Sequence, residues 1–248
     1  MEFSFWLNTV WIWIVGAIIG SFLNVIIFRY DHEGMSVLKP SRSFCPSCNR
    51  TLVWYENIPI ISFLLLKGRC RTCHDRISPR YLFIEILTPA LIWLNFCVFQ
   101  FGWEWVGVSL ITVSLLVVFF IDLQTSTISD WNWIFVGVGS FIVALSRNAL
   151  VYNAIVATVV FGLFLLVYWF YRGRFGMGDV LLIAAASLGL GMVGITMTIL
   201  VASIAGLVFA ALQKKKMKDA IPFGPFLAIG IYISLIIADR VFQMMVYP

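Results

Sequence analysis

The feature that most constrains this chain is a series of seven long apolar runs. They cover residues 5–28, 81–101, 103–121, 131–145, 150–171, 180–212 and 223–241. A helix that crosses a bilayer needs about 17–25 mainly apolar residues, so six of these runs suit one crossing each. Composition agrees, because 61% of the residues are hydrophobic and 12% are charged, against about 45–50% and about 25% in soluble domains. We therefore expect an all-α polytopic membrane protein.

The run at residues 180–212 is too long for a single crossing. As one helix its 33 residues would extend over about 50 Å, whereas the hydrocarbon core is about 30 Å thick. Gly189, Gly191 and Gly194 lie near its middle and offer a break. We split this run in two and predict about eight transmembrane helices. The first is expected to be a retained span rather than a cleaved signal peptide.

The distribution of basic residues predicts the orientation. If the N-terminus lies outside, four loops face the cytoplasm and contain 15 of the 17 Lys and Arg residues, as the positive-inside rule requires. They are the loops at residues 29–80, 123–130, 172–178 and 213–222. A single span at residues 180–212 would instead put the lysines at 214–218 outside. Eight spans with both termini outside is the better prediction, and these lysines would suit anionic lipid headgroups.

The polar loop at residues 29–80 contains two C-x-x-C pairs, Cys45 with Cys48 and Cys70 with Cys73. Two such pairs at this separation are typical of a structural zinc site with four thiolate ligands. Two disulfides or four free thiols are the alternatives, although structural disulfides are rare in the cytosol that the topology assigns to this loop. A metal ion would stabilise a segment that is too small to form its own core.

Two aspartates lie at the ends of apolar runs. Asp122 closes one run, and Asp179 opens another at the end of the motif GMGD. The topology puts both near the cytoplasmic face, and carboxylates at membrane spans are costly enough to indicate functional sites. Asp179 could instead be an ordinary helix N-cap, as we expect for Asp130. Capping cannot account for Asp122, since the dipole at a helix C-terminus disfavours an anion.

Such a pair of carboxylates, meeting across a helix bundle, could cut a peptide bond. Like charges a few Å apart do not both ionise readily, so the two acids would share a proton. The protonated acid would polarise a peptide carbonyl while its partner took a proton from a water molecule. Two alternatives remain open. One is a proton-coupled transporter in which the acids relay protons, and the other is a non-catalytic assembly subunit anchored by the cysteine loop.

Several motifs in combination carry a family resemblance. GMGD, ending at Asp179, resembles the G-x-G-D motif of membrane-embedded aspartyl proteases. Asp122, followed by ISD at residues 128–130, is similar to the first aspartate motif of type IV prepilin leader peptidases. Further motifs match that family in order along nearly the whole chain. They are GSFLNV (20–25) with Arg29, WYENIP (54–59), GRCR (68–71), RY (80–81) with Glu85 and Thr88, and IPFGPF (221–226).

The resemblance implies a bifunctional enzyme of the bacterial plasma (inner) membrane. Family members cut the short basic leader from prepilins and pseudopilins at the cytoplasmic face, then methylate the new N-terminal amine with S-adenosylmethionine. By motif position the catalytic pair is Asp122 and Asp179, and the cysteine loop at 29–80 belongs to the methylating part. Residues 1–28 are then the first span and residues 81–248 a seven-helix aspartyl peptidase domain. The expected partners are these substrates and membrane lipids, without nucleic acid.

Two positions depart from the family pattern, and one site rests on the resemblance alone. Leu181 stands where the family commonly has a lysine, and Ser129 where it has a proline. Neither change removes a catalytic carboxylate. The loop has no glycine-rich nucleotide fingerprint, so the resemblance alone assigns the methyl-donor site to Gly20, Asn24 and Glu85. For the two polar residues, interhelical hydrogen bonding is an equal alternative.

Overall fold

The computed structural model describes residues 2–32, 34–125, 127, 130–171, 176–212 and 222–246. Within these ranges the chain forms eight α-helices, and its only β-pairing is three isolated bridges. The helices are α1 (Glu2–Tyr30), α2 (Ile61–Leu65), α3 (Pro79–Phe99), α4 (Trp103–Thr125), α5 (Asp130–Ser146), α6 (Leu150–Phe170), α7 (Met177–Leu212) and α8 (Gly224–Val246), with a 3₁₀ turn at Trp54–Asn57. Each predicted apolar run coincides with a helix, so the all-α prediction is confirmed.

Five of these helices are long and apolar enough to cross a membrane, namely α1, α3, α4, α6 and α7. The apolar parts of α5 and α8 are shorter. Short spans can be accommodated by local thinning of the bilayer. The total of about eight crossings and the orientation of the termini stay predictions.

The long helix α7 is interrupted at Gly191, where the backbone has φ 62° and ψ −169°. Gly191 is one of the three glycines at which we expected a break, and glycine adopts this conformation without the Cβ penalty. After the break the chain runs back towards the end of the bundle where α7 begins. There Phe209 packs against Phe226 of α8, with ring centroids 5.3 Å apart. The two parts of α7 therefore run in opposite directions, as the predicted split requires.

A side chain from α6 stabilises the break in α7. Interrupting a helix leaves backbone polar groups without partners, which is costly in an apolar environment. The buried Asn153 donates a hydrogen bond from Nδ2 to the carbonyl oxygen of Leu188 at 2.9 Å. A Cβ at Gly191 would lie 2.8 Å from Asn153 Oδ1. Both the backbone conformation and this close approach therefore require glycine.

The chain divides into two compact units, Met1–Leu94 and Asn95–Pro248, called here the N-terminal unit and the C-terminal unit. The boundary falls within α3. The N-terminal unit contains α1, the cysteine loop, α2 and most of α3, whereas the C-terminal unit contains α4 to α8. The limits of the three segments predicted from the sequence stay predictions.

In the N-terminal unit, α1 and α3 pack closely in antiparallel directions. A Cβ at Gly16 would lie 2.6 Å from Pro89 Cα, and one at Gly20 would lie 2.9 Å from Ile84 O. Small residues four positions apart allow membrane helices to approach closely. Further along the same contact, Asn24 donates from Nδ2 to a backbone carbonyl of α3 at 3.0 Å.

The C-terminal unit is a bundle with one continuous apolar core, to which all five of its helices contribute buried side chains. Helices α4 and α5 cross at Gly107 and Gly139, where a Cβ on either glycine would lie 2.7 Å from the carbonyl oxygen of the other. Buried polar groups bond across helices, as with Thr198 of α7 and Ser234 of α8 at 3.0 Å. This packing brings the end of α4 and the beginnings of α5, α7 and α8 to one end of the bundle.

Candidate active site

Asp122 lies in the last turn of α4 and is buried, with 4% of its surface exposed. Its Oδ2 accepts a hydrogen bond from the N–H of Gly224, the first residue of α8, at 2.9 Å. The first N–H groups of a helix have no partner within the helix and carry the positive end of its dipole. The start of α8 therefore compensates for the unfavourable dipole of α4, which explains how this acid is accommodated.

Gly224 contributes to this site, although the sequence had indicated it only as part of the motif IPFGPF. A Cβ at Gly224 would lie 2.8 Å from Asp122 Oδ2 and 3.0 Å from its Cγ. Any larger residue would therefore displace the carboxylate or break the hydrogen bond. The signal available from the sequence was a glycine between two prolines at the start of the last apolar run.

Asp179 is half-buried and is the third residue of α7. Its carboxylate accepts a hydrogen bond from the N–H of Gly176, and a Cβ at Gly176 would lie 3.2 Å from its Oδ2. An acid at the third helical position that binds the N–H of the residue before the helix forms one half of a capping box. Asp179 is therefore not the N-cap residue itself, but it does cap α7 from within the first turn of the helix.

The two carboxylates lie at the same end of the C-terminal unit, near enough for the charge of Asp122 to act on Asp179. Two acids that approach each other within a few Å can share one proton, so that one donates while the other accepts. Asp130 begins α5 at the same end, but its side chain and Ser129 lie outside the described residues. Leu181 is half-buried and places an apolar side chain two residues after Asp179.

The four cysteines of the polar loop come together in the N-terminal unit. Their sulfur atoms all lie within 4.8 Å of one another. The sulfurs of Cys45 and Cys73 are 3.8 Å apart, close to the separation of two thiolates bound at about 2.3 Å to one tetrahedral zinc ion. The four cysteines are free rather than joined in disulfides. Their arrangement fits a structural zinc site, and the cluster could hold a metal ion.

Each C-x-x-C pair lies in a knuckle of the same design. In the first knuckle the N–H of Cys45 donates to Arg50 O at 2.9 Å, and in the second the N–H of Cys70 donates to Asp75 O at 2.9 Å. The residue that follows the second cysteine has a positive φ in both knuckles. Each knuckle therefore turns the chain tightly and presents two sulfurs to one point.

The second knuckle also directs backbone N–H groups at its first sulfur. Hydrogen bonds from the N–H groups of Cys73 and Thr72 lower the pKa of Cys70 to about 6. The lowered pKa favours the thiolate, which is the form of cysteine that binds metal. The protein thus favours a metal-binding protonation state at this position.

The motif WYENIP contributes an ion pair beside the cluster. Both carboxylate oxygens of Glu56 accept from Arg50 Nη2, at 2.7 and 2.8 Å, and Oε2 also accepts from the N–H of Val53 at 3.0 Å. Burial acts to raise the pKa of Glu56, but these hydrogen bonds hold it below its usual value. Glu56 therefore stays ionised and ties the first knuckle to the 3₁₀ turn.

The three residues that the resemblance assigned to the methyl donor have different surroundings. Gly20 packs against the backbone of α3, and Asn24 donates to Tyr81 O at 3.0 Å. Glu85 accepts from the N–H of Ile60 at 2.7 Å and lines a cavity of about 440 Å³ in the N-terminal unit. Binding of a methyl donor by any of the three stays a prediction.

Comparisons with known proteins cover almost the whole chain. A family model described as the Bacterial Peptidase A24 N-terminal domain matches residues 14–99, and one described as the Type IV leader peptidase family matches residues 109–211. A prepilin leader peptidase/N-methyltransferase from Neisseria gonorrhoeae is 31% identical, covering 93% of this chain and 91% of the relative. A type 4 prepilin-like proteins leader peptide-processing enzyme from Escherichia coli O78:H11 is 33% identical, covering 87% and 88%. No solved structure matches the chain significantly.

Proposed function

This chain belongs to the type IV leader peptidase family, and on that premise we propose that it cuts the leader from prepilins or pseudopilins and methylates the new N-terminal amine. Both matching family models describe peptidases. Relatives that cover most of the chain are named for both activities. The observation that carries the proposal is that two carboxylates lie at one end of the C-terminal unit, within range of each other's charge.

We assign peptide cleavage to Asp122 and Asp179, which hold one proton between them. The protonated carboxyl donates a hydrogen bond to the carbonyl oxygen of the scissile peptide. The ionised carboxylate takes a proton from a water molecule, whose oxygen attacks the carbonyl carbon and forms a tetrahedral intermediate. Proton transfer to the departing amide nitrogen then breaks the C–N bond and releases the new N-terminal amine.

The backbone around the two acids supports this assignment. The N–H of Gly224 holds Asp122 and the N–H of Gly176 holds Asp179, so neither carboxylate needs a lysine or arginine partner. A guanidinium or ammonium at this distance would stabilise the ionised form and oppose protonation. Backbone donors fix the orientation of each acid and still allow the pair to keep one proton.

We assign methylation to the N-terminal unit, with zinc as the structural ion of Cys45, Cys48, Cys70 and Cys73. S-adenosylmethionine supplies a methyl group on a sulfonium ion, which the amine of the cut substrate accepts. The zinc-bound knuckles would hold the polar loop in shape at the cytoplasmic face. In this proposal the protein lies in the bacterial inner membrane with eight spans and both termini outside.

The proposal is tested by a mass spectrum of a prepilin incubated with the purified protein, with and without S-adenosylmethionine. We expect loss of the leader in both samples and the added mass of one methyl group only when the donor is present. An intact substrate with a well-folded preparation would refute the peptidase assignment. Cleavage without methylation in the presence of the donor would refute the second activity alone.

A further inference from the structure

The N-terminal unit contains a cavity of about 440 Å³, within the range of about 300–1,000 Å³ typical of small-molecule sites. It is lined by residues from α1, α2, α3 and both knuckles, including Cys45 and Cys70. The cleavage mechanism does not use it, because both proposed catalytic acids belong to the other unit. This cavity is therefore a candidate ligand-binding site that is distinct from the proposed peptidase site.

One acid in the wall of the cavity has no cationic partner within the described part of the chain. Glu85 is 8% exposed and accepts hydrogen bonds from neutral donors, the N–H of Ile60 at 2.7 Å and the side chain of Ser21. By contrast, Glu56 in the same wall is paired with Arg50 at 2.7 Å. A buried carboxylate that the protein leaves without a counter-charge favours a cationic ligand.

A basic residue in the same wall has a free donor. Among the described residues, Arg80 Nε is buried and has no hydrogen-bond partner, while its guanidinium lies over the ring of Tyr81 at 5.6 Å. Arg29, which also lines the cavity, is instead occupied by backbone carbonyl oxygens of the loop. Arg80 is thus suited to bind an acceptor such as a carboxylate, which guanidinium groups recognise well.

The remaining wall offers aromatic surface. Phe28 and Phe44, whose ring centroids are 6.1 Å apart, line the cavity together with Phe63 and Tyr81. Such rings pack well against a flat heteroaromatic group. The cavity therefore combines an acidic side chain without a counter-charge, a guanidinium donor without an acceptor and aromatic walls, which indicates a ligand with a cation, a carboxylate and a planar ring system.

We propose that this cavity binds S-adenosylmethionine, with Glu85 recognising the sulfonium, Arg80 the carboxylate and the aromatic residues the adenine. The proposal rests on the methyl transfer proposed above and adds the site and its means of recognition. Of the three residues that the resemblance assigned to the methyl donor, the proposal keeps Glu85 as a ligand contact. Gly20 and Asn24 instead pack α1 against α3.

This assignment predicts that the site distinguishes the methyl donor from its product. S-adenosylhomocysteine has a neutral thioether where S-adenosylmethionine has a sulfonium, and the two are otherwise alike. An ionised carboxylate attracts the sulfonium but not the thioether, so the donor should bind at least about 10-fold more tightly than the product. The preference should depend on the charge of Glu85.

The test is isothermal titration calorimetry of both ligands with the full chain in detergent. Glu85→Gln removes the charge but keeps an oxygen for the N–H of Ile60. We expect the variant to bind the donor at least about 10-fold more weakly, with little change for the product, so that the two ligands bind alike. Asp31→Asn is the matched control, because Asp31 is an exposed acid of the same unit. It should preserve the preference.

A second variant tests the cavity itself. Ser62 of α2 lines it, and Ser62→Trp should fill it and weaken binding of both ligands, while metal content and thermal unfolding report whether the unit remains folded. A donor preference that survives in Glu85→Gln, or wild-type binding in a folded Ser62→Trp protein, would overturn the proposed site. Wild-type protein that binds neither ligand would overturn methyl transfer as well.

Discussion

The two units keep charged groups within an apolar protein in different ways. In the C-terminal unit, two acids are held by backbone N–H groups at the starts of helices, Gly224 for Asp122 and Gly176 for Asp179. In the N-terminal unit, the buried acid Glu56 is held by the side chain of Arg50. A carboxylate bound by a guanidinium is kept ionised, whereas one held by neutral amides can still exchange a proton. The comparison therefore indicates proton chemistry in one unit and a charge-stabilised scaffold in the other.

Glu85 is the informative exception in the N-terminal unit. It is buried like Glu56 but bonds neutral donors, as the two acids of the C-terminal unit do. Unlike them it lines a cavity, which makes ligand recognition a better explanation of its isolation than proton transfer. If the comparison is right, each unit can be damaged without loss of the other's activity.

The largest expected effect is on cleavage, from Asp122→Asn and Asp179→Asn. Each removes a group that must donate or accept a proton, so each should slow leader removal by about 10²–10⁴-fold or more. Cleavage is measured by mass spectrometry of a prepilin. Glu104→Gln is the control, because Glu104 is an acid of the same unit paired with Arg147 at 2.6 Å, and it should cleave normally. Near-wild-type cleavage by either Asn variant would contradict the dyad.

Loss of the metal should have the opposite effect to loss of the acids: it should damage the N-terminal unit and leave cleavage by the C-terminal unit intact. Replacing Cys45 and Cys70 by serine removes one thiolate ligand from each knuckle and changes two residues that line the cavity. We expect loss of bound zinc and of methyl-donor binding, with leader cleavage retained, as measured by elemental analysis, calorimetry and mass spectrometry. Cys97→Ser, which changes a cysteine outside the cluster, should alter none of the three. Equal loss of cleavage and donor binding would argue against separate units.

An intermediate effect is expected from Gly224→Ala. The added methyl group would lie 2.8 Å from Asp122 Oδ2 and would displace the carboxylate, which should slow cleavage by about 10–100-fold. Donor binding should not change. Gly162→Ala is the matched control, since a Cβ at Gly162 meets no atom within 4 Å. If the two variants cleave at the same rate, the hydrogen bond from Gly224 does not position the acid.

The smallest effect is expected from Gly16→Ala in the N-terminal unit. Its Cβ would lie 2.6 Å from Pro89 Cα, so α1 and α3 must move apart at a cost of about 1–3 kcal/mol. Thermal unfolding in detergent should shift downwards and donor binding should weaken, with cleavage unchanged. Ile18→Ala, at an exposed position of α1, should show neither change. An unaltered unfolding temperature for Gly16→Ala would exclude the close packing of these helices.

The sequence predicts those parts of the fold that depend on local composition. Long apolar runs become helices because their backbone groups must bond internally in lipid, and the excess length of residues 180–212 anticipates the reversal at Gly191. The cysteine spacing likewise anticipates the cluster, because each C-x-x-C pair fits a single tight turn. The 3₁₀ turn at Trp54–Asn57 and the short α2 leave no periodic pattern long enough to recognise.

Contacts between distant segments are harder to predict from the sequence. Asp122 and Gly224 are 102 residues apart, and nothing near Asp122 indicates which helix start would hold it. The hydrogen bond from Asn153 to Leu188 O at the break in α7 also joins two different helices, and no local pattern in the sequence indicates it. Glu85 is visible as a polar residue in an apolar run, but its lack of a counter-charge depends on what the folded loop brings beside it.

The most direct test of separate sites is methylation of a pilin whose leader has already been removed. Asp179→Asn protein is incubated with this substrate and S-adenosylmethionine, and the product is weighed by mass spectrometry. We predict methylation at a rate close to that of the wild type, although the same variant leaves an intact prepilin uncut. Loss of methylation on the pre-cut pilin, in a preparation with normal metal content, would contradict the division of labour between the two units.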